Sequence, residues 1–404
     1  MSTVLITVNG PDRPGLTGVL FTALSAHRVE VLDIDQAVIR GALTLGVLVR
    51  TPGDPEALQE HVEQAMASVG TTVRVAIDPP GADQRRSATH ALVVLGRPLQ
   101  ARAIGALARA LGEAGVNIET IRRVADYPVT GLELSVTARD DDVLRLSVAR
   151  VAAAEGVDIA VQRAGLARRA KRLIVFDVDS TLITGEVIDL LAERTGTGAE
   201  VERITAAAMR GELDFAESLR RRVAMLAGLD AAVLDEVAAE LELTPGARTT
   251  IRTLKRLGYR CGIVSGGFTQ VARHLVDELD LDFVAANTLE VVDGRLTGGL
   301  VGDVVDRPGK ARALERFAAA SGVPLDQTVA VGDGANDIDM LTTAGLGVAF
   351  NAKPIVADAA DTALNQPFLD PVLFILGITR DEVEAADAAE GRLRRVPLAA
   401  PAGR

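Results

Sequence analysis

Short runs of apolar and polar residues open the chain, and their period changes in a fixed order. "VLITVNG" (4–10) is a short β-rich run, and the segment after it carries Leu and Ala at i, i+3 and i+4 spacing. Two alternating runs come next, then a helix-period segment opened by acidic residues, then a last β-rich run at 73–77. Period 2 marks half-buried strands and period 3.6 an amphipathic helix. The order therefore predicts βαββαβ, a ferredoxin-like antiparallel sheet with both helices on one face. The same order returns about 87 residues later. "VLITVNG" lies over "ALVVLGR" (91–97), "LSAHRVEVLDI" (24–34) over "LGEAGVNIETI" (111–121), and the run at 157–161 closes the second unit. "IDPPGADQRRSA" (77–88), with its prolines and charges, predicts a linker between units 1–80 and 88–165. "LARRAKR" (166–172) predicts a hinge to the rest of the chain.

From Leu173 the texture changes. Near-continuous apolar runs appear at "LIVF" (173–176), "CGIVS" (261–265), "DFVAAN" (282–287), "TVAVG" (328–332) and "GVAF" (347–350), with helix-period segments between them. That pattern predicts an α/β domain over 172–380, a parallel sheet covered on both faces, whose ligands sit at the carboxyl ends of the strands. Residues 186–244 interrupt it with three helical stretches, the size of a cap over a site. "EVVDGRLTGG" (290–299) predicts a hairpin turning at Asp293 and Gly294. The tail 381–404 is charged and Ala-rich, a helix fraying into disorder to which no chemistry is assigned.

The 404 residues, 48% of them hydrophobic, suit two or three domains. With no Trp and two Tyr, the cores must be built of Val, Leu, Ile and Ala. A net charge of −12 argues against nucleic acid or an anionic membrane as the main partner. The one cysteine, Cys261, cannot form an intramolecular disulfide and reads as a buried thiol. No basic leader and no apolar run near 18 residues is present, so a soluble cytoplasmic protein is expected.

The chemistry gathers at strand ends. In "RLIVFDVDSTLITGE" (172–186) an apolar strand runs into Asp177 and Asp179, a pair that needs a cation or a proton between them. "VGDGANDIDM" ends another strand and supplies Asp333 and Asp337. Three or four oxygen ligands without His or Cys describe a hard divalent ion, Mg²⁺ above all. "SGGF" offers the Ser265 hydroxyl and the bare backbone of Gly266 and Gly267, and Lys310 in "RPGKARAL" is a fixed cation at a helix start. Together these make a phosphoryl-transfer site. Asp177 is expected to attack phosphorus and form an aspartyl phosphate. Asp179 is expected to protonate the leaving alkoxide and then activate water, for which the chain must turn after Asp177. Each cluster alone is common; four in this order at strand ends and a helix start are hard to explain structurally.

"DVDST", "SGGF", "GK" and "GDGANDIDM" resemble the four motifs of the haloacid-dehalogenase superfamily, and the sequence between them, over about 172–375, resembles the phosphoserine phosphatases. The resemblance implies a Rossmann-like core with a helical cap. It implies Mg²⁺ on Asp177, the Asp179 backbone carbonyl and Asp333, and a phosphoryl group on Ser265, Gly266 and Lys310. It further implies Glu186 on the substrate ammonium and Arg222, next to Arg220 and Arg221, on the carboxylate. Met209 and Phe215 become the apolar lining of the cap, and Asn336 completes the fourth motif. O-phospho-L-serine carries the matching ammonium, carboxylate and phosphate, and its hydrolysis to L-serine, the last step of serine biosynthesis, is the activity implied. Without the resemblance, Glu186 is as well explained as a helix-start acid and Arg222 as a solvated cation.

The tandem units, the first with "GPDRPGL" between strand and helix, resemble ACT domains, which bind amino acids at paired interfaces. A homodimer and feedback by L-serine are the corresponding expectations. Gly18 and Gly105, at equivalent positions early in the two first helices, would admit a ligand to the backbone or merely allow close helix packing. A structural dimerisation module, a phosphatase for another small phosphomonoester, and an amino-acid sensor with a vestigial site are the alternatives.

Overall fold

The alternating halves fold as their periods dictate. The computed structural model describes residues 1–81, 87–209, 212–393 and 395, and of residues 208 and 209 the backbone alone. The chain divides into two units, Met1–Ser87 and Ala88–Arg404.

The first unit runs β1 (Ser2–Pro11), α1 (Leu16–Ser25), β2 (Glu30–Ile39), β3 (Ala42–Thr51), α2 (Pro55–Ala67) and β4 (Thr72–Ile77). Its antiparallel sheet has the order β2-β3-β1-β4. Val4, Ile6 and Val8 of β1 point to one face by the two-residue period. They meet Leu20 and Leu24 of α1 and Leu58, Val62 and Met66 of α2, set four apart on each helix. Asp54 starts α2 by accepting the Glu56 N–H at 3.0 Å, ahead of Pro55 at the first helical position.

The second unit opens with the same plan: β5 (His90–Gly96), α3 (Ala101–Glu113), β6 (Asn117–Ala125), β7 (Thr130–Thr137), α4 (Asp141–Glu155) and β8 (Asp158–Arg163), in the order β6-β7-β5-β8. Here β5 is buried on both faces. Leu92 and Val94 pack under the helices, while Val93 and Leu95, with Ala160 of β8, join the core of the neighbouring α/β domain. The segment expected to hinge is held: α5 (Leu166–Arg169) sends Arg168 to Glu133 at 2.6 Å and to the Ile375 carbonyl at 3.2 Å. Asp158 accepts from the backbone and side chain of Asn365 at 2.9 and 2.7 Å. The second repeat and the α/β domain thus share one core.

The α/β domain holds β9 (Leu173–Phe176), β10 (Arg260–Phe268), β11 (Phe283–Val292), β12 (Arg295–Val301), β13 (Thr328–Gly332), β14 (Gly347–Phe350) and β15 (Thr362–Leu364). They form one sheet, β12-β11-β10-β9-β13-β14-β15, parallel except for β12. From β9 the chain builds outward first through β10 and then through β13, so the strand order reverses at its carboxyl end, where a crevice opens. The insertion is a cap of four helices, α6 (Val187–Thr195), α7 (Gly198–Met209), α8 (Phe215–Ala224) and α9 (Val233–Glu240). Its two connections pair where Thr184 N–H meets the Glu242 carbonyl and Thr244 N–H the Leu182 carbonyl, both at 2.9 Å. Its α8–α9 loop is bonded to the β11–β12 hairpin, Gly228 N–H to Leu296 O at 2.8 Å and Ala231 N–H to Gly294 O at 2.8 Å. That hairpin turns at Asp293 (φ 49°) and Gly294 (φ 75°), as the Asp-Gly pair predicts.

The sheet is flanked by α10 (Ala247–Arg256), α11 (Thr269–Leu279), α12 (Arg307–Ser321), α13 (Ile338–Thr343), α14 (Pro354–Ala357) and α15 (Pro371–Ile375). The start of the tail is ordered helix, α16 (Arg380–Ala389), capped reciprocally by Thr379 and Glu382. It is held on α10 by Asp387, which Arg256 reaches at 2.7 Å. Residues 394 and 396–404 lie outside the described residues. No helix among the described residues is long and apolar enough to cross a membrane.

Candidate active site

β9 ends at Phe176, and the Asp177 N–H continues its ladder to the Val331 carbonyl at 2.8 Å. The chain then folds into a wide turn, Val178–Leu182, closed by Ile183 N–H on Val178 O at 3.0 Å, with Ser180 left-handed at φ 56°. This is the turn that the two-residue spacing requires. It swings Asp179 back so that its Oδ1 accepts the Val187 N–H at 2.8 Å, at the amino end of α6. Ser265 Oγ donates to Asp179 Oδ2 at 3.4 Å.

Lys310 is 0% exposed, with Nζ 2.7 Å from Asp177 Oδ1 and 2.7 Å from Asp337 Oδ1. Asp337 Oδ2 accepts the Gly334 N–H at 2.9 Å. A Cβ at Gly332 would stand 2.6 Å from that oxygen, so the glycine makes room for the carboxylate. Thr181 Oγ1 donates to Asp333 Oδ1 at 3.2 Å. One oxygen each from Asp177, Asp333 and Asp337 lies within 4.8 Å of the others. Burial pushes the Asp177 carboxyl well above its ordinary value, the neighbouring Asp337 adds to this, and Lys310 opposes it. Burial and Asp337 push Asp333 up to about 6. Three packed carboxylates against one ammonium leave negative charge that burial makes costly. The donor set is all oxygen, so the residues present fit a hard divalent ion. Asp337, which the sequence supplies with Asp333 to the oxygen cluster, is part of it and also holds Lys310 against it.

Between Val264 and Phe268 the β10–β11 pairing shifts register, leaving 265–267 out of the ladder. Gly267 N–H turns back to Ser265 Oγ at 2.7 Å. A Cβ on Gly266 would stand 2.9 Å from Cζ of Phe215 and 3.7 Å from Nδ2 of Asn336, so the cap's phenyl ring and the Asn336 amide both lie over this glycine. Asn287, which the sequence marks only as the end of an apolar run, is buried and donates to the Gly266 carbonyl at 2.8 Å.

Glu186 stands just before α6 at the mouth, where Ser180 Oγ donates to it at 3.2 Å. Desolvation first, then the charges of Asp179, Asp333 and Asp189, push its carboxyl up to about 7. Arg222 is half-buried on α8. Desolvation lowers its guanidinium's proton affinity while Glu186, Asp189 and Asp179 raise it, and its Nε is buried with no partner. Arg221 turns outward to Glu217 at 2.7 Å and Arg220 is exposed, so of these three arginines Arg222 is the one partly buried. Asp189, which also senses Arg222, belongs to no motif; its place one turn along α6 from Glu186 is the signal the sequence carries for it. Met209 ends α7, and its side chain lies outside the described residues. Gly18 is the third residue of α1, where the N–H lacks a helical acceptor, and lines a cavity of the first unit with Thr22, His61 and Ser68. Gly105, the fifth residue of α3, faces Arg109 instead.

Residues 174–342 match the family of haloacid dehalogenase-like hydrolases, and residues 2–77 and 88–162 each match the ACT domain. The chain is 58% identical over 402 residues to a phosphoserine phosphatase of Mycobacterium tuberculosis, covering 98% of both chains. It is 58% identical over 389 residues to a phosphoserine phosphatase of Streptomyces coelicolor, covering 95% of this chain and 94% of that one. A solved structure of a probable phosphoserine phosphatase from Vibrio cholerae is similar with a TM-score of 0.57 at 34% identity, over 76% of this chain and 90% of that one.

Proposed function

The chain belongs to the phosphoserine phosphatases of the haloacid dehalogenase-like hydrolases, and we propose that it cleaves O-phospho-L-serine to L-serine and phosphate through a phosphoryl group carried on Asp177. A carboxylate oxygen of Asp177 attacks phosphorus as the bond from phosphorus to the serine oxygen breaks. Asp179, whose carboxyl burial pushes up, gives its proton to the departing alkoxide. It then takes a proton from the water that attacks the aspartyl phosphate, releasing phosphate and restoring Asp177. Lys310, the Ser265 hydroxyl and the Gly266 N–H hold the phosphoryl oxygens. Asp177, Asp333 and the Asp179 backbone carbonyl would hold Mg²⁺, which supplies positive charge to those oxygens. Asp337 keeps Lys310 in place.

The observation that carries the substrate is the partnerless, buried Nε of Arg222, on a guanidinium close enough to Glu186 to feel its charge. A guanidinium left short of a bond is suited to a carboxylate, and the acid beside it to an ammonium; an α-amino acid brings both. Phe215 on Gly266, with Asn336 beside it, lines the space and keeps water out. For the ACT domains we propose binding of L-serine, with Gly18 and Gly105 as the points of backbone approach, in a homodimeric cytoplasmic enzyme. L-serine that neither inhibits the enzyme nor shifts its melting would remove that part.

The test is phosphate release with Mg²⁺ from L- and D-phosphoserine, phosphothreonine, phosphoglycolate and sugar phosphates, beside Asp177→Asn. Preference for L-phosphoserine that vanishes in the variant is the expected result. A flat panel that dies in the variant would keep the chemistry and discard the substrate.

A further inference from the structure

The geometry points to Asn287 as a positioning residue that aims the Ser265 hydroxyl and ties the two halves of the phosphoryl cradle together; this rests on the phosphoserine phosphatase reading of the site. Asn287 lies on β11, is 2% exposed, and uses both ends of its amide. Nδ2 donates to the Gly266 carbonyl at 2.8 Å, and Oδ1 accepts the Val305 N–H at 2.8 Å. The orientation is forced, because a carbonyl can only accept and a backbone N–H can only donate.

The β10–β11 ladder explains why the bond is needed. Val264 pairs with Ala285 and Phe268 with Asn287, so residues 265–267 stand opposite Ala286 alone. The bulge takes the Gly266 carbonyl out of the sheet, and Asn287 supplies the partner that a buried carbonyl requires. The same peptide unit presents the Gly267 N–H to Ser265 Oγ at 2.7 Å. Held at its oxygen by Asn287 and at its nitrogen by Ser265, that peptide cannot rotate. It occupies one lone pair of the serine oxygen, which leaves the hydroxyl proton directed to Asp179 Oδ2, on the side where the phosphoryl group transfers. The other arm acts on Lys310. Val305 precedes Asp306, whose carbonyl accepts the Lys310 N–H at 2.8 Å and whose carboxylate accepts the Gly309 N–H at 2.8 Å. One buried amide thus joins the Ser265 loop to the first turn of α12.

Asn287→Asp separates the arms, since Asp keeps the acceptor for Val305 and replaces the donor to Gly266 with an oxygen. In the full-length enzyme with Mg²⁺ and L-phosphoserine, kcat is expected to fall about 10- to 100-fold, the scale of a small misplacement of a catalytic group. KM should move less than about threefold, because Glu186 and Arg222 hold the amino-acid end. The decisive comparison is the Ser265→Ala background. If Asn287 works through Ser265, the same change there lowers kcat by less than about threefold. A folded Asn287→Asp with kcat within about twofold of the parent enzyme, or an equal fall in both backgrounds, overturns the assignment. Should Asn287→Asp not fold, Asn287→Ala, which puts no carboxylate against Gly266, goes through the same comparison and is judged by the same two outcomes. A parent enzyme inactive on phosphoserine would overturn the functional reading and this inference with it; an active parent with an indifferent variant overturns this inference alone.

Discussion

Gly266→Ala separates the stability of the fold from closure of the cap. The added Cβ would stand 2.9 Å from Cζ of Phe215, half an ångström inside the 3.4 Å at which ordinary contact begins, and at permitted distances from Phe215 Cε2 (3.6 Å) and Asn336 Nδ2 (3.7 Å). The conflict is with the far end of a cap side chain, the ring tip of Phe215, and not with backbone. The core strands need not shift. Overpacking of this size costs about 1–3 kcal/mol. Falling on the closed state alone, it lowers kcat/KM by about 5- to 150-fold, while the melting temperature should stay within about 2 °C of the parent. The assay is phosphate release at L-phosphoserine concentrations well below KM, with thermal unfolding run beside it. In a Phe215→Ala background the ring is gone, and Gly266→Ala should then cost less than about twofold. A single variant that loses less than about twofold, or the same loss with and without the ring, would refute closure against Gly266.

Asp179→Asn keeps an oxygen for the Val187 N–H but carries no proton to transfer, so kcat should fall about 10²- to 10⁴-fold in steady-state assays with melting little changed. Glu186 must be ionised to hold an ammonium, and with its carboxyl pushed up to about 7 kcat/KM should decline as pH falls through 7; a pH profile of Glu186→Gln that keeps the same inflection would assign it elsewhere. Chelation should abolish turnover and Mg²⁺ restore it, and Asp333→Asn should require more Mg²⁺ for half-maximal rate. Arg380 is 5% exposed and bonds Asp370, 4% exposed, at 2.8 Å, and burial already raises the Asp370 carboxyl to about 6. A carboxyl raised on folding lowers stability as pH climbs through its folded value, and losing Arg380 deepens that penalty on the ionised form. Arg380→Ala should therefore cost about 3–5 kcal/mol at pH 8 and clearly less at pH 5, where Asp370 takes up a proton; urea unfolding that shows equal losses at both pH values would count against the pair.

Part of what the sequence left open had a signal in it. β1 reads "VLITVNG" with a polar residue inside its apolar run, but β5 reads "HALVVLG" with no polar interruption before its glycine, the mark of a strand covered on both faces. That difference between the repeats announces the core shared by the second repeat and the α/β domain, which the basic segment at 166–172 disguised as a hinge. In the same way Leu219, Val223 and Leu226 define the buried face of the segment that begins with α8. Arg222, three residues after Leu219, falls on that side, and Arg220 and Arg221 do not.

What the sequence determined by itself is what depends on neighbours in the chain. The periods placed the strands and helices, Asp293 and Gly294 made their hairpin, and the spacing of Asp177 and Asp179 demanded the turn that Val178–Leu182 supplies. These arise from backbone geometry, which repeats wherever the local pattern does. Only the tertiary structure decided that Asp337 would face Lys310 from 27 residues away, that Asn287 would bridge Gly266 and Val305, and that Phe215 would lie on Gly266. Such pairs depend on a few tenths of an ångström and on the direction of a lone pair. Those quantities exist only once sheet register, bulge and cap are all in place.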